Sequence, residues 1–464
     1  MSTKTYEVEH LHQPDGWLSP GYVEVDQAGK IVSVSGDRPQ GKEVESLSGY
    51  GVPGLSNLHS HAFQRALAGR TEFVTGALAE DNLWTWRKEM YRMVDRLTPE
   101  DYEAIGAQVY LEMLKFGMTA VCEFHYVHHQ PGGAKFADPA EMSKRLIAAA
   151  GRTGLGMTML PVLYAHGGIN KPVEPTQKRF VHTVDEYLAL IENLRTGMAD
   201  NRTLNVGVAL HSLRAVTPDE VHETLAGFNR MAPDAPIHIH VSETTHEVEE
   251  VEAGLGARPV QWLIDNVDLN DKWCLVHATH LDASEIAGSA KSGAVAGICP
   301  LTEATMGDGF FPLVEYHKAR GNWGIGTDSH YSTSISEELR ILECGKRLEL
   351  RRRNVIAEPD GDAEVHTGRI HFDTALKGGE LSSRQGGGAL VPGRRADLVM
   401  LDPNADVFLG HTSRTVLDAW MLGGTENPVR DVMVAGNWVI RDGRHPQQDT
   451  VRQDYQAAMK RLTS

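Results

Sequence analysis

The sequence predicts an α/β fold, a (β/α)8 TIM-type barrel with a small composite β domain built from both termini. Three observations carry this. From residue 51 to about 330, short apolar or β-branched runs alternate with longer helical stretches, the pattern of repeated βα units. Eight such runs can be counted, the number a closed barrel of this type requires. Both ends of the chain are instead made of short strand-like runs broken by turn residues.

In chain order, residues 1–52 hold KTYEVEHL and GYVEVDQAGKIVSVSG, where Gln27-Ala28-Gly29 between alternating runs predicts a hairpin. The eight barrel strands are predicted at 51–59, 119–126, 156–164, 204–211, 235–243, 273–278, 294–300 and 322–330. A helix between the first two, TPEDYEAIGAQVYLEMLKFG, opens with Thr98 at the N-cap and closes at Gly117. Residues 353–390, with GGELSSRQGGG, read as a helix followed by a mobile connection. After residue 390 the β character returns in ADLVMLD and VRDVMVAGNWVIRDGRHP, with Ala435-Gly436-Asn437 as a second hairpin turn. The expected organisation is thus a barrel over 53–390 and a composite β domain from 1–52 and 391–464.

Size and charge narrow the functions. With 464 residues, 41% of them hydrophobic, the chain can bury a large core. Its net charge of −17 argues against a nucleic-acid or acidic-membrane partner, so an anionic substrate must be met by a few locally placed cations. The N-terminal run MSTKTYEVEHLHQPDG has no signal-peptide apolar stretch, and no run reaches the ~18 apolar residues of a membrane helix. Cys122, Cys274, Cys299 and Cys344 form no Cys-x-x-Cys pair and read as reduced residues of a cytoplasmic protein.

Chemistry concentrates at the predicted strand ends. Residues i and i+2 of a strand share a face, so His59 and His61 can converge on one ion. Spacing alone proves little, because 22 histidines in 464 residues give about one such pair by chance, and this chain has three. His10/His12 lies in the N-terminal β piece without an acidic partner nearby and reads as surface imidazoles; His238, deeper in its strand than His240, reads as a hydrogen-bonded core residue. What distinguishes His59/His61 is its company. Later strands end at His211 and Arg214, at His240 and Glu243, at His277 and His280, and at Asp328 and His330, and in a barrel these ends meet at one mouth.

Three imidazoles and a carboxylate, His59, His61, His240 and Asp328, make an N/O ligand set for one divalent metal ion, zinc in the first instance with iron as the alternative. Water activated there needs a proton acceptor, for which His277 and Asp328 are candidates, and a proton donor to the leaving group, for which Glu243 is. No lysine stands at the fourth or fifth strand end to bridge a second ion. Glu303 and Asp308, in PLTEATMGDGF, read as solvated loop acids, although their turn begins where the seventh strand ends.

These residues in this order resemble the amidohydrolase superfamily, specifically its one-metal deaminase branch. The likeness runs through PGLSNLHSHAFQRALAG, LWTWRKEMYRMVDRLTPE, GMTAVCEFHYVHH, ALHSLRAV, HIHVSE, LVHATHLD, CPLTEATMGDG, GTDSHYSTSISEELR and LVPGRRADLVMLD, and within the superfamily is similar to the formimidoylglutamate deiminases. The resemblance implies zinc on His59, His61, His240 and Asp328, with His277 deprotonating the water and Glu243 shuttling the proton. It further implies a small-molecule dicarboxylate substrate contacted by Arg214, His211, Tyr126, Gln64 and Arg87, and a homodimer. On the residues alone, Arg87 beside Lys88 and Arg92 reads as a solvated helix charge. A deaminase of a purine or other aromatic amine, or a non-catalytic scaffold on the same fold, are the competing expectations.

Overall fold

The structure is a computed structural model that describes residues 3–74, 83–198, 201–359 and 363–464. The N-terminal strands are β1 (Thr3–Gln13), β2 (Gly16–Leu18), β3 (Gly21–Asp26), β4 (Ile31–Ser35) and β5 (Val44–Pro53). Barrel strands follow as β6 (Leu55–Ser60), β7 (Met118–His125), β8 (Gly156–Leu163), β9 (Leu204–Val206), β10 (Val208–Leu210), β11 (Ile237–Val241), β12 (Trp273–His277), β13 (Val295–Ile298) and β14 (Asn322–Ile325). The chain returns to the first sheet with β15 (Leu398–Leu401), β16 (Val429–Val434) and β17 (Asn437–Ile440).

The terminal sheet has the order β17-β16-β15-β5-β1-β3-β4, so strands from the two ends of the chain interleave at β15 and β5. Both anticipated hairpins form. Gly29 (φ 74°) turns β3 into β4, and Ala435 and Gly436, at φ 47° and 78°, turn β16 into β17, the left-handed pair that a two-residue hairpin turn requires. Tyr6, Val8, Val23, Val25, Ile31, Leu398 and Met433 give this sheet a core of its own.

The second sheet is parallel, in the order β14-β13-β12-β11-β10-β8-β7-β6, with β9 on β8. It closes across its ends. Ser60 bridges to Asp328, the His61 amide donates to the Asp328 carbonyl at 3.1 Å, and the Asp328 amide to the His59 carbonyl at 3.0 Å. Two predicted strands prove to be broken. Residues 51–59 belong to two sheets, with Gly54 at the crossing, where a Cβ would come within 2.2 Å of Thr119. Residues 204–211 split at Gly207, where a Cβ would stand 2.5 Å from the Pro236 carbonyl oxygen.

Helices α1 (Leu83–Val94) and α2 (Pro99–Lys115) follow β6. Thr98 caps α2 as its sequence implied: the side chain accepts from the Asp101 amide, the Asp101 carboxylate accepts in return from the Thr98 amide, and Gly117 takes φ 86° beyond the end. Among the described residues no helix is long and apolar enough to cross a membrane. No cysteine is disulfide-bonded; Cys122, Cys274 and Cys299 are buried.

Three expectations need correcting. The Gly/Ser-rich stretch is largely helix, not a mobile connection: Thr367–Ser383 runs through GGELSS and lies across the amino ends of the barrel strands. A Cβ at Gly378 would fall 2.0 Å from the Trp323 carbonyl oxygen, and one at Gly379 would fall 2.5 Å from that of Ser56, so glycine is there to let helix and barrel backbones touch. Carbonyls at its carboxyl end accept from the barrel: Ser383 from Thr158 Oγ1 at 2.6 Å and Asn205 Nδ2 at 3.2 Å, Ser382 from His238 Nε2 at 3.0 Å. His238 is therefore a hydrogen-bonded core imidazole, as anticipated. Gly379→Val is expected to destabilise the fold by about 3 kcal/mol or more through overpacking, read as a lower urea midpoint at unchanged slope.

The second correction concerns His12, which is buried and places Nε2 2.8 Å from Asp373 Oδ1 of that helix, while His10 stacks on Tyr50. The partner lies hundreds of residues away in sequence, beyond the reach of any local pattern. Thirdly, the C-terminal stretch is not only β. It carries helices Val416–Leu422 and Gln448–Thr463, the latter packing on α2 through Val451, Ala458, Met459 and Leu462, one stripe at helical spacing.

Candidate functional site

The carboxyl ends of β6, β11, β12 and the segment after β14 bring His59, His61, His240, His277 and Asp328 together in the barrel mouth. His59 Nε2 lies 3.2 Å from both His61 Nε2 and His240 Nε2. Asp328 Oδ1 lies 3.3 Å from His59 Nε2 and 3.2 Å from His61 Nε2. Burial pushes His59 down to about 3, against the pull of Asp328, and it lowers His61 and His240 as well, so all three imidazoles are neutral. Because His61 Nδ1 hydrogen-bonds the Phe124 carbonyl at 2.8 Å, its Nε2 lone pair is left facing the others. Neutral imidazoles with converging lone pairs repel one another unless a cation lies between them. Three nitrogens and one carboxylate oxygen fit a divalent ion.

His277 stands slightly apart, Nε2 3.9 Å from Asp328 Oδ2 and 3.6 Å from Glu243 Oε1. Glu303 Oε1 sits 3.3 Å from its Nδ1, and the same oxygen accepts from the Cys299 amide at 2.8 Å. Burial lowers His277, but Glu243, the Glu303 hydrogen bond and Asp328 outweigh it and hold the imidazole up to about 10. Asp328 is displaced the other way: burial raises it, and its bond to His59 with the neighbouring imidazoles carries it below the usual carboxylate range.

Backbone strain gathers here. Ser242, His277, Ala278, Asp328 and His330 all have positive φ, between 44° and 68°, a region L-residues enter at a cost of roughly 1–3 kcal/mol each. Beneath the imidazoles runs a buried hydrogen-bonded chain. Ser60 Oγ donates to Glu123 Oε2 at 2.5 Å and lies 3.1 Å from His330 Nε2; His330 Nδ1 meets Thr327 Oγ1 at 2.8 Å, and Asn57 Nδ2 donates to that hydroxyl at 2.7 Å. Glu123, pushed up to about 7 by burial, also accepts from the Ala62 amide at 2.7 Å. His59 and His61 flank Ser60, so this chain fixes the strand that carries them.

A cavity of about 60 Å³ adjoins these groups, lined among others by Gln64, Tyr126, Glu243, His277 and Asp328. Arg87, Tyr91, Tyr164, His211 and Arg214 line both it and an outer cavity of about 890 Å³. All five anticipated substrate contacts therefore border the inner cavity. Arg87, which by sequence looked like a solvated helix charge, faces this junction from α1. Gln64 is held at both ends, donating to Tyr126 Oη at 3.0 Å and accepting from Ser329 Oγ at 2.6 Å.

Glu247, not singled out by sequence, lies buried with Oε1 3.8 Å from Arg214 Nε, and its Oε2 accepts from the Glu243 amide at 3.0 Å. Standing in the first turn of a helix, it reads in sequence as an ordinary helix-start acid. Glu303 and Asp308 are buried, not solvated. Burial pushes Asp308 up to about 9, and Glu243 beside it adds to the rise. His280 turns away from the metal candidates, its Nε2 2.7 Å from the Asp308 carbonyl.

Residues 50–439 match the amidohydrolase family. A formimidoylglutamate deiminase of Pseudomonas aeruginosa is 46% identical over 433 residues, 93% of either chain. Among solved structures, an amidohydrolase from Brucella melitensis superposes with a TM-score of 0.92 at 40% identity, over 99% of this chain and 100% of that one. An adenosine deaminase from Xanthomonas campestris with bound zinc shares the fold at a TM-score of 0.79 and 21% identity, over 99% of this chain and 98% of its own.

Proposed function

Since this chain belongs to the amidohydrolase family, we propose that it is a deiminase hydrolysing N-formimino-L-glutamate to N-formyl-L-glutamate and ammonia. One observation carries the substrate: two arginines, Arg87 and Arg214, with His211, line the junction of the inner and outer cavities of a protein whose net charge is −17. With the formimino group in the inner cavity, both carboxylates fall toward that junction, where guanidinium groups suit them. The competing purine reading rests on the aromatic wall of Trp86, Tyr91, Tyr126, Tyr164 and Phe180.

We assign one divalent ion, zinc before iron, to His59, His61, His240 and Asp328. Such an ion supplies Lewis acidity that brings a water's pKa into the neutral range. We assign to Glu243, in place of the His277 expected from the resemblance, the proton taken from the attacking water and returned to the departing nitrogen, because the acids around His277 favour its protonated form. His277, oriented by Glu303, and Asp328 hold the water and stabilise the positive charge that moves with the proton. Water adds to the formimino carbon, the tetrahedral intermediate expels ammonia, and the C=N bond becomes the C=O of the formyl group. Gln64 and Tyr126, locked to each other, present an amide and a hydroxyl to the substrate from the β6 and β7 side. The homodimer suggested by the sequence resemblance belongs with this reading, as does a cytoplasmic setting.

The test is ammonia release from N-formimino-L-glutamate, N-formimino-L-aspartate and a purine panel. The dicarboxylates are expected to lead, and Arg214→Ala to raise KM for them by about 10²-fold, the scale of a lost charge-assisted contact. Faster purine turnover, or Arg214→Ala acting equally on both classes, overturns the assignment.

A further inference from the structure

Two adjacent residues in the stretch between β8 and the helix Val184–Gly197 tie together the pieces of chain that carry the junction side chains. Arg179 is buried, and its partners are main-chain carbonyls. Its Nε donates to His129 O at 2.7 Å, while Nη1 donates to Val94 O and, at 3.1 Å, to Leu97 O. Val94 is the last residue of α1, and its carbonyl, which also accepts from the Leu97 amide at 3.1 Å, takes the guanidinium as a second donor, setting a positive charge at the negative end of the helix dipole. In the other direction, the Arg179 carbonyl accepts from the His128 and His129 amides at 2.9 and 3.0 Å, fastening the stretch that leads out of β7 through Tyr126.

Phe180 takes up the rings. It meets Tyr126 edge-on at 5.1 Å and lies 5.8 Å from Tyr164 and 6.0 Å from Tyr91, the three tyrosines of the inner cavity. Among the described residues, the hydrogen bonds of Arg179 go to His129, Val94 and Leu97, and none goes to His59, His61, His240, His277, Asp328 or Glu243, which stand on or beside β6, β11, β12 and the segment after β14.

We propose that Arg179 and Phe180 are positioning residues for the carboxylate end of the substrate, Arg179 by seating α1 and hence Arg87, Phe180 by aligning the three tyrosines. This rests on the dicarboxylate reading of the site. A lysine keeps the charge of Arg179 but cannot reproduce a fork that reaches three carbonyls in different directions. The metal-ligand candidates stand on other strands, and β7 meets them through Phe124 and Glu123, inside the strand and before the stretch that Arg179 fastens, so the loss falls on binding and not on the chemical step.

The experiment compares Arg179→Lys, Phe180→Leu, Arg87→Gln and the Arg179→Lys/Arg87→Gln double variant, all loaded with zinc, on N-formimino-L-glutamate and on N-methylformamidine, which has the reacting group and no carboxylate. Arg179→Lys is expected to raise KM for the dicarboxylate about tenfold, with kcat within about twofold and N-methylformamidine unaffected. In the Arg87→Gln background it adds less than about twofold, because both changes remove one contact. Equal losses on both substrates, or full additivity, overturn the proposal. Should Arg87→Gln leave KM unchanged, the dicarboxylate reading fails, and the clamp is judged by hydrogen exchange: faster exchange of residues 86–97 in Arg179→Lys keeps it, unchanged exchange removes it. If Arg179→Lys does not fold, Phe180→Leu decides alone, by a KM-only loss or an equal loss on both substrates.

Discussion

Glu243→Gln is expected to keep its divalent ion and to lose between about 10² and 10⁴ of kcat, the range general acid–base catalysis supplies. The substitution is nearly isosteric, and the Glu243 amide remains bound to Glu247, so the loop at the end of β11 keeps its shape. What disappears is a carboxylate that can accept a proton from water and release it to nitrogen; an amide can do neither. Glu243 is not among the converging donors; its Oε1 lies 3.6 Å from His277 Nε2. Metal analysis beside kcat at saturating substrate checks this. If metal leaves with activity, Glu243 is a ligand and another group carries the proton.

Asp328→Ala is expected to abolish both functions together, with under about 0.2 ion per chain after gentle purification and kcat below about 10⁻⁴ of the parent even with added zinc. The carboxylate is the one anionic member of the converging set, 3.2 and 3.3 Å from two imidazoles, and its other oxygen faces His277. Removing it leaves three buried neutral imidazoles whose lone pairs converge on an empty centre. Full metal occupancy in the purified variant would show the three histidines sufficient and return Asp328 to a purely proton-handling role.

The candidate centre was legible because its residues sit at strand ends and the strand period is short. His59 and His61 share one strand face, His240, His277 and Asp328 each stand at a predicted strand end, and barrel topology brings those ends together. Arg87 was not legible by the same logic. One charge in WTWRKEMYR looks like any other until the helix is placed over the cavity. Glu247 and Glu303 were hidden for a related reason, since an acid in the first turn of a helix needs no function to explain it.

Within the fold, strand existence was readable and strand ownership was not. Residues 51–59 read in sequence as one strand, yet β5 and β6 serve different sheets, because the change at Gly54 is a matter of what lies beside it. The stretch GGELSS misled more deeply. Its composition is that of a linker, and the reason for its glycines is the touch of Trp323 and Ser56, residues about 50 and 300 positions away, which no window of local sequence contains.

That helix also sets an order of events for the growing chain. The last barrel strand, β14, is complete at residue 325, yet the helix that lies on the amino ends of β6 and β14 is residues 367–383. A nascent chain therefore carries a complete set of strands with an open base until some 58 further residues emerge, about 3–12 s at ordinary synthesis rates of 5–20 residues per second. During that interval Trp323, Leu58 and their neighbours face the solvent or a chaperone. The candidate metal centre lies at the other end, so the exposed apolar base is where a stalled or truncated chain would begin to aggregate.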